Sequence, residues 1–274
     1  DNTALIYACI TGKIEIVRLL LNDERTDPNI QDKDGDTALI VACNNGYIEI
    51  VGLLLKYERT DPNIQDKDGD TALLLACIEG HTEIVPLLLN DQRTDPNIQS
   101  SVGNTALITS IYININMKKD INKVRDLVKI LLKHLSIKIN IDGYTDSFFS
   151  NLGNIQLVNR SGKKVGNKPD YPLDVNIKNK YSSTALMYAI NLFNQKNRSI
   201  TASEEKYITE IIELLVAKGA NARLENNNLQ NSLEFFNYLI IHKKLKLSEE
   251  LYQIIKNILE ASINYYKKIF LKLQ

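Results

Sequence analysis

The sequence is poor in the residues that most often carry chemistry or cross-links. It has only 3 histidines and 3 cysteines in 274 residues. A structural zinc site needs four converging ligands, and His81, His134, His242, Cys9, Cys43 and Cys77 are too few and too scattered to suggest one. No metal or cofactor is expected. The cysteines recur beside alanine at one fixed interval in apolar stretches. On stacked helices such equivalents lie about 10 Å apart, beyond the roughly 7 Å reach of a disulfide, so they read as core fillers. Also missing is a glycine-rich phosphate loop, because the three glycines between 153 and 166 lack the flanking strand and helix. No nucleophile stands beside a base in any recognisable pattern, so catalysis is not expected. The longest apolar stretches, such as Leu73 to Ile78, fall far short of the roughly 18 residues that cross a bilayer. A secretory leader is not visible at the start either.

Net charge is absent too, at zero overall, but this balance hides a gradient. Residues 1–104 carry 18 acidic against 8 basic side chains, and residues 105–274 carry 15 against 25. The halves therefore stand at −10 and +10, an asymmetry that steers charged partners over about a Debye length, roughly 8 Å.

What the chain has in abundance is itself. Asp32–Gln65 reads DKDGDTALIVACNNGYIEIVGLLLKYERTDPNIQ, and Asp66–Gln99 repeats it nearly letter for letter. Thr3, Thr37, Thr71 and Thr105 are spaced by 34 residues, and each is followed by Ala-Leu. Within each unit Asp34-Gly35 or Asp68-Gly69 marks a tight turn, since glycine accepts positive φ without steric cost. Threonine then opens a short helix whose Leu39, Ala42 and Cys43 form one apolar stripe of partly small residues. Gly46 ends it. A second helix through Ile48, Ile50, Val51 and Leu53–Leu55 is apolar over too wide an arc for a lone surface helix. One unit cannot cover that arc, so units must stack.

The pattern D-x-x-G-x-T-A-L-x-x-A-C-x-x-G-x-x-E-I-V-x-L-L-L, closing with T-D-P-N, resembles the ankyrin repeat. The resemblance implies an all-α solenoid of antiparallel helix pairs with projecting β-turn fingers. Alanine replaces the family's usual proline after threonine, and Arg25, Arg59 and Arg93 stand near where a helix-ending glycine is usual. One extra residue there makes the period 34, so the finger base should be shaped differently.

The same grammar continues with insertions. Asp174-Val175-Asn176-Ile177 and Thr184-Ala185-Leu186 match Asp61–Ile64 and Thr71 onward in spacing. Aligning Arg125–Leu132 with Thr82–Leu89 places extra residues between the helices of the fourth unit. A fifth unit closes at Gly219-Ala220-Asn221, a degenerate sixth runs from Leu233 to Leu259, and a capping helix is expected from Ser262, with Lys267, Lys268 and Lys272 facing water. About six units result: residues 1–135 hold regular units one to four, 136–173 an insertion, and 174–274 the divergent units and cap. Inside the insertion, Ile155–Val165 alternates and turns like a β-hairpin. Asp1-Asn2-Thr3 enters the pattern without its opening turn, which suggests a start inside a longer protein.

Asp32–Asp36 and Asp66–Asp70 superficially suggest calcium loops. Such a loop needs glycine sixth and glutamate twelfth, whereas here glycine is fourth and Cys43 or Cys77 twelfth, so they are plain turns. His81 is expected to hydrogen-bond locally at the turn between helices. Arg18, Gly52 and Pro86 share one helix position, a mixture that suits a solvent-facing outer surface near a helix start.

The resemblance implies that a protein partner lies across the fingertips and the inner faces of the first helices. In this sequence that surface is Lys33, Asp34, Asp36, Lys67, Asp68 and Asp70 at the tips. On the helices it is Tyr7, Ile10, Thr11, Val41, Asn44, Asn45, Leu75, Ile78, Glu79, Thr109 and Tyr188. Comparison of units supports the choice, because Ile10-Thr11, Asn44-Asn45 and Ile78-Glu79 differ in every copy while the interior Leu, Ala and Cys hardly change. Tyr7, Val41 and Leu75 should form an apolar strip flanked by acidic tips, suited to a partner with an apolar anchor and a basic rim. The expected protein is a monomeric, cytoplasmic, non-catalytic scaffold or adapter. Its 35 isoleucines and 30 asparagines, with the R-T-D-P-N-I-Q-D-K-D-G-D-T-A-L string, are similar to the ankyrin proteins of giant DNA viruses, which implies a host-directed role. The alternative is nucleic-acid binding by the basic half through Lys163, Lys164, Lys168 and the tail lysines, although these lack a base-reading motif.

Overall fold

Threonine decides where each unit begins. In a computed structural model that describes residues 2–117, 121–133, 174–194, 201–242 and 247–273, Thr3 Oγ1 accepts the Ile6 amide at 3.1 Å. Thr37, Thr71, Thr105 and Thr184 cap in the same way, with the amides of Ile40, Leu74, Ile108 and Met187 at 3.2 to 3.4 Å. Each such cap satisfies a helix-end donor and is worth about 1 kcal/mol. The first helices that follow are α1 (Ala4–Ile10), α3 (Ala38–Asn44), α5 (Ala72–Glu79), α7 (Ala106–Met117) and α9 (Ala185–Asn191). In the sixth unit Asn231 takes over the capping role: its Oδ1 accepts the Leu233 and Glu234 amides, and Glu234 Oε2 accepts the Asn231 amide, opening α11 (Ser232–His242).

In units one to three the first helix turns back at Gly12, Gly46 or Gly80, and in every unit a second helix follows. The second helices are α2 (Ile14–Leu21), α4 (Ile48–Lys56), α6 (Ile84–Asn90), α8 (Ile121–Lys133), α10 (Ala202–Ala217) and α12 (Glu249–Leu273). Helix α6 starts two residues later in its unit than α4 does, because Pro86 has no N–H to give and its nitrogen must fall among the donors that a helix leaves unpaired. A Cβ on Gly52, the equivalent position in α4, would meet nothing within 4 Å, so this side of the second helices is open. The extra residues of the fourth unit lengthen α7 and α8, and Leu127, Val128 and Leu131 are buried just as Ile84, Val85 and Leu88 are.

Two rows result. The first helices pack in the order α1, α3, α5, α7, α9, α11 and the second helices in the order α2, α4, α6, α8, α10, α12, each pair touching its neighbours. The core lies between the rows and runs unbroken through all six units, from Leu5, Ile6 and Val17 to Ile255 and Leu259. Among the described residues every element is a helix, as the all-α expectation requires. The expected hairpin at Ile155–Val165 lies outside the described residues. The tail differs from its expectation: α12 is one continuous helix from Glu249, and Ser262 is buried within it, its Oγ donating to the Ala220 carbonyl at 2.8 Å. Lys267 and Lys268 are exposed on it, as an outer cap requires.

Candidate partner-binding face

The fingers are built by their first residue. Asp32 Oδ1 accepts the amides of Asp34 and Asp36 at 2.8 and 3.0 Å, and Asp66 accepts those of Asp68 and Asp70, both at 2.8 Å. Asn179 and Asn226 do the same work in units five and six. Neighbouring fingers then join through single backbone bonds: Lys67 to the Asp34 carbonyl at 3.1 Å, Ser101 to Asp68 at 2.9 Å and Lys180 to Val102 at 3.1 Å. This close approach is why glycine stands at the tip. Gly35 has φ +87°, and a Cβ there would sit 2.8 Å from the Lys67 nitrogen.

A second ladder runs behind the fingers, made by the T-D-P-N segment. Asn63 Nδ2 donates to the Arg93 carbonyl at 2.7 Å while its Oδ1 accepts the Asp95 amide at 2.8 Å. Asn29 bridges Arg59 and Asp61 in the same way, and Asn176 bridges Gly219 and Asn221. Asn97 accepts the Asp174 amide at 2.6 Å, which carries the ladder across the 40 residues 134–173, and α7 and α8 pack directly on α9 and α10. Gln31, Gln65 and Gln99 form a third line, each donating to its own finger and to the next unit's carbonyl; Lys178 continues it to the Glu225 carbonyl at 2.6 Å. Sequence reasoning missed these lines, although the strict recurrence of Asn and Gln on a polar segment was their visible signal.

The arginines at the finger base also act between units. Arg93 donates to the carbonyls of Leu55, Glu58 and Thr60 at 2.7, 2.8 and 2.7 Å, closing the C-terminal end of α4 from the following unit. Arg59 reaches Glu24 likewise at 2.6 Å. His81, too, corrects its expectation. Its Nε2 lies 3.2 Å from the Asn44 carbonyl of the preceding unit, and its ring covers Gly46, where a Cβ would come within 2.7 Å of it.

On this scaffold the expected partner-binding residues separate into two groups. Tyr7 (63% exposed), Ile10, Thr11, Asn44, Asn45 and Glu79 stand out from the first helices, and Lys33, Asp34, Lys67 and Asp68 from the tips. Leu75, Ile78 and Tyr188 are half-buried on the same side, as are Asp36 and Asp70 at the finger bases. Val41 (7% exposed) and Thr109 (5%) belong to the packed interior and offer a partner nothing. Small units bring their neighbours close, and the stack closes over these side chains. The strip is thus interrupted at unit two, and its apolar part continues toward Tyr112, whose ring meets that of Tyr188 edge-on at 5.4 Å. Tyr112 was not anticipated, although it occupies the variable position of Ile10, Asn44 and Ile78.

Charge on the face is concentrated at the fingers. Burial first, then the neighbouring carboxylates of Asp32, Asp66, Asp34 and Asp68, push Asp36 up to about 6; burial with Asp66 and Asp68 does the same to Asp70. Asn104 fills the equivalent place in unit four, where it accepts a bond from Asn179 at 2.9 Å without any charge. Desolvation raises the thiols of Cys9 and Cys77 to about 12, and Cys43 is also raised, so all three stay protonated and unreactive at neutral pH. Among the described residues no three metal-ligating side chains converge and no helix is long and apolar enough to cross a membrane. Lys163, Lys164 and Lys168 lie outside the described residues.

Residues 1–66 and 53–143, more than half of the chain, match a family model described as "Ankyrin repeats (3 copies)". A search of curated protein sequences finds no match. Solved structures do resemble the chain. An ankyrin-repeat protein designated EF0377 shares 23% identity at a TM-score of 0.63, covering 94% of this chain and 96% of its own. An ankyrin-repeat domain of Acinetobacter baumannii (ABAYE2397) shares 21% at 0.61, over 94% and 96%. A chain of the complex between Bd0816, a predatory endopeptidase of Bdellovibrio bacteriovorus, and the immunity protein Bd3460 shares 18% at 0.53, over 95% and 98%. At such identities the likeness concerns the fold alone. With capping threonines, paired helices, bonded fingers and the matching family pattern together, the chain belongs to the ankyrin-repeat family.

Proposed function

We propose that this chain is a non-catalytic adapter that holds a protein partner across its fingers and the exposed ends of its first helices, the concave side of an ankyrin solenoid. One observation carries the reading. The positions that change from unit to unit, Ile10-Thr11, Asn44-Asn45 and Ile78-Glu79, end the first helices and are exposed or half-buried, whereas the repeated Leu, Ala and Cys are buried. A surface free to differ on a fixed frame is how a repeat scaffold acquires a specific partner. Tyr7, Leu75, Ile78, Tyr112 and Tyr188 supply apolar anchors, and Asp34, Asp36, Asp68 and Asp70 supply the acidic rim, which suits a partner whose apolar anchor is bordered by Lys or Arg. We infer further, from the Ile- and Asn-rich composition and the R-T-D-P-N-I-Q-D-K-D-G-D-T-A-L string, that the partner is a host protein met in the host cytoplasm and that the chain works there as a monomer.

The test is affinity capture from host cells with the whole chain and with a variant carrying Tyr7→Ser, Asp34→Lys and Asp68→Lys. All three side chains are exposed, so melting should be unchanged. Partners retained by the whole chain and lost by the variant are the expected result; an identical capture profile from both chains would remove this face from consideration.

A further inference from the structure

Finger chemistry changes once along the stack, between units three and four. In units two and three the first, third and fifth finger residues are all aspartate, against one lysine in each, whereas 100–104, 179–183 and 226–230 contain no carboxylate. The third position runs Asp34, Asp68, Val102, Tyr181 and Asn228. Where the acids stop, exposed rings gather. Tyr181 is 54% exposed and Tyr112, on α7, is 38% exposed, and Tyr112 meets the half-buried Tyr188 of α9 edge-on.

One buried amide holds this junction in place. Asn179 Oδ1 accepts the amides of Tyr181 and Ser183 at 3.0 and 3.1 Å, which fixes its Nδ2 as the donor to Asn104 Oδ1 and to the Tyr188 hydroxyl, both at 2.9 Å. Both Nδ2 hydrogens are then spent. The Tyr188 oxygen therefore accepts, and its own proton meets no acceptor among the described residues. A hydroxyl fixed as a donor beside another ring suits a backbone carbonyl, and the paired rings suit a further aromatic side chain. Cations find less here, because the Lys180 ammonium already lies 5.2 Å from the centre of the Tyr181 ring. The exposed carboxylates of Asp34 and Asp68 attract them instead.

Resting on the partner face described above, we propose that the partner presents an extended segment whose two parts are read by different units. Fingers two and three take its Lys or Arg side chains, while Tyr112, Tyr181 and Tyr188 take an aromatic residue, with Tyr188 donating to a carbonyl of the segment. Stacking sets the spacing. First helices pack about 8–10 Å apart, so the two or three steps from α5 or α3 to α9 span roughly 16–30 Å. At about 3.3 Å per extended residue, the basic and aromatic residues stand about five to nine positions apart, in either chain direction.

A phage-displayed library of random peptides of about 16 residues, long enough to reach both parts, is selected on the whole chain. Enriched peptides should pair Lys or Arg with Phe, Tyr or Trp about five to nine positions away, more often than the unselected library does. Against one such peptide, Asp34→Lys with Asp68→Lys should weaken binding about tenfold or more and flatten its salt dependence. Tyr112→Ser with Tyr181→Ser should weaken it about tenfold and leave the salt dependence as it was. Tyr188→Phe, which keeps the ring, should cost about threefold to tenfold. Peptides that lose binding to the aspartate variant but bind all the tyrosine variants normally would overturn the two-part segment and leave the partner face standing. Peptides without the pairing, or no enrichment at all, would also overturn it, and the face itself would still be judged by capture from host cells. Enriched peptides that bind every variant as they bind the whole chain would remove segment and face together.

Discussion

Units two to four and units five and six make the same inter-unit bonds with different side chains. In the first group the fingers open on Asp32, Asp66 and Ser100 and turn on Gly35, Gly69 and Gly103, all with φ between +76° and +87°. In the second they open on Asn179 and Asn226 and turn on Ser182 and Leu229, non-glycine residues held at φ +56° and +57°. The replaced glycine has a visible effect. The bond from Asn227 to the Tyr181 carbonyl is 3.4 Å, longer than the 2.9 to 3.1 Å of the earlier fingers, as expected where a Cβ presses on the following backbone. Among the described residues no later finger stands against Leu229, and its side chain is 77% exposed. What does not change is the line of asparagines from Asn29 to Asn176. The inter-unit ladder is therefore the requirement, and finger chemistry is what this chain is free to vary.

The two halves should respond most strongly, and alike, to loss of a ladder asparagine. Asn63→Ala strands one carbonyl and one amide between units, and Asn176→Ala strands the matching pair in the divergent half. Each should cost about 2 kcal/mol in urea denaturation. A much smaller loss for Asn176 would mean that the two halves are not held alike. Next in size is Leu229→Gly, which gives the sixth finger the residue its backbone conformation favours and removes a side chain that is 77% exposed. A gain of about 1 kcal/mol is expected from relief of the left-handed conformation, while a loss would show that the leucine packs usefully.

The smallest effect concerns charge. Asp36 and Asp70 titrate near 6 in the folded chain against about 3.9 unfolded, so the native state binds more protons as pH falls. Their ionised forms lower stability above pH 6, and that loss is relieved between about pH 6 and 4. Asp36→Asn and Asp70→Asn, which copy Asn104, should each stabilise by ~0.5–1 kcal/mol at pH 7 after allowance for partial exposure, with the advantage fading toward pH 4. An advantage that grows on acidification would contradict this sign. Carboxylates kept where an amide would serve the fold better are in keeping with a partner that brings positive charge.

Most of the fold was legible because a repeat displays its own constraints: capping threonines, turning glycines and the apolar stripe recur where the backbone needs them. Candidate residues were harder to read. Val41 and Tyr7 occupy the same place in their units, yet one is buried and the other exposed. The difference comes from neighbours on both sides, and a unit read alone does not contain them. For the same reason Arg93 and His81, which look local in sequence, act on the unit before. Bonds between units join residues 30 or more positions apart, and only stacking brings them together.

On the proposed reading a partner sits on the fingers and first helices. Hydrogen exchange measured on the chain alone and with a captured partner bound tests it directly. New protection is expected in residues 32–36 and 66–70 and at the ends of α1, α3 and α5, with α2, α4 and α6 unchanged. Protection confined to the second helices, with the fingers exchanging as before, would contradict it.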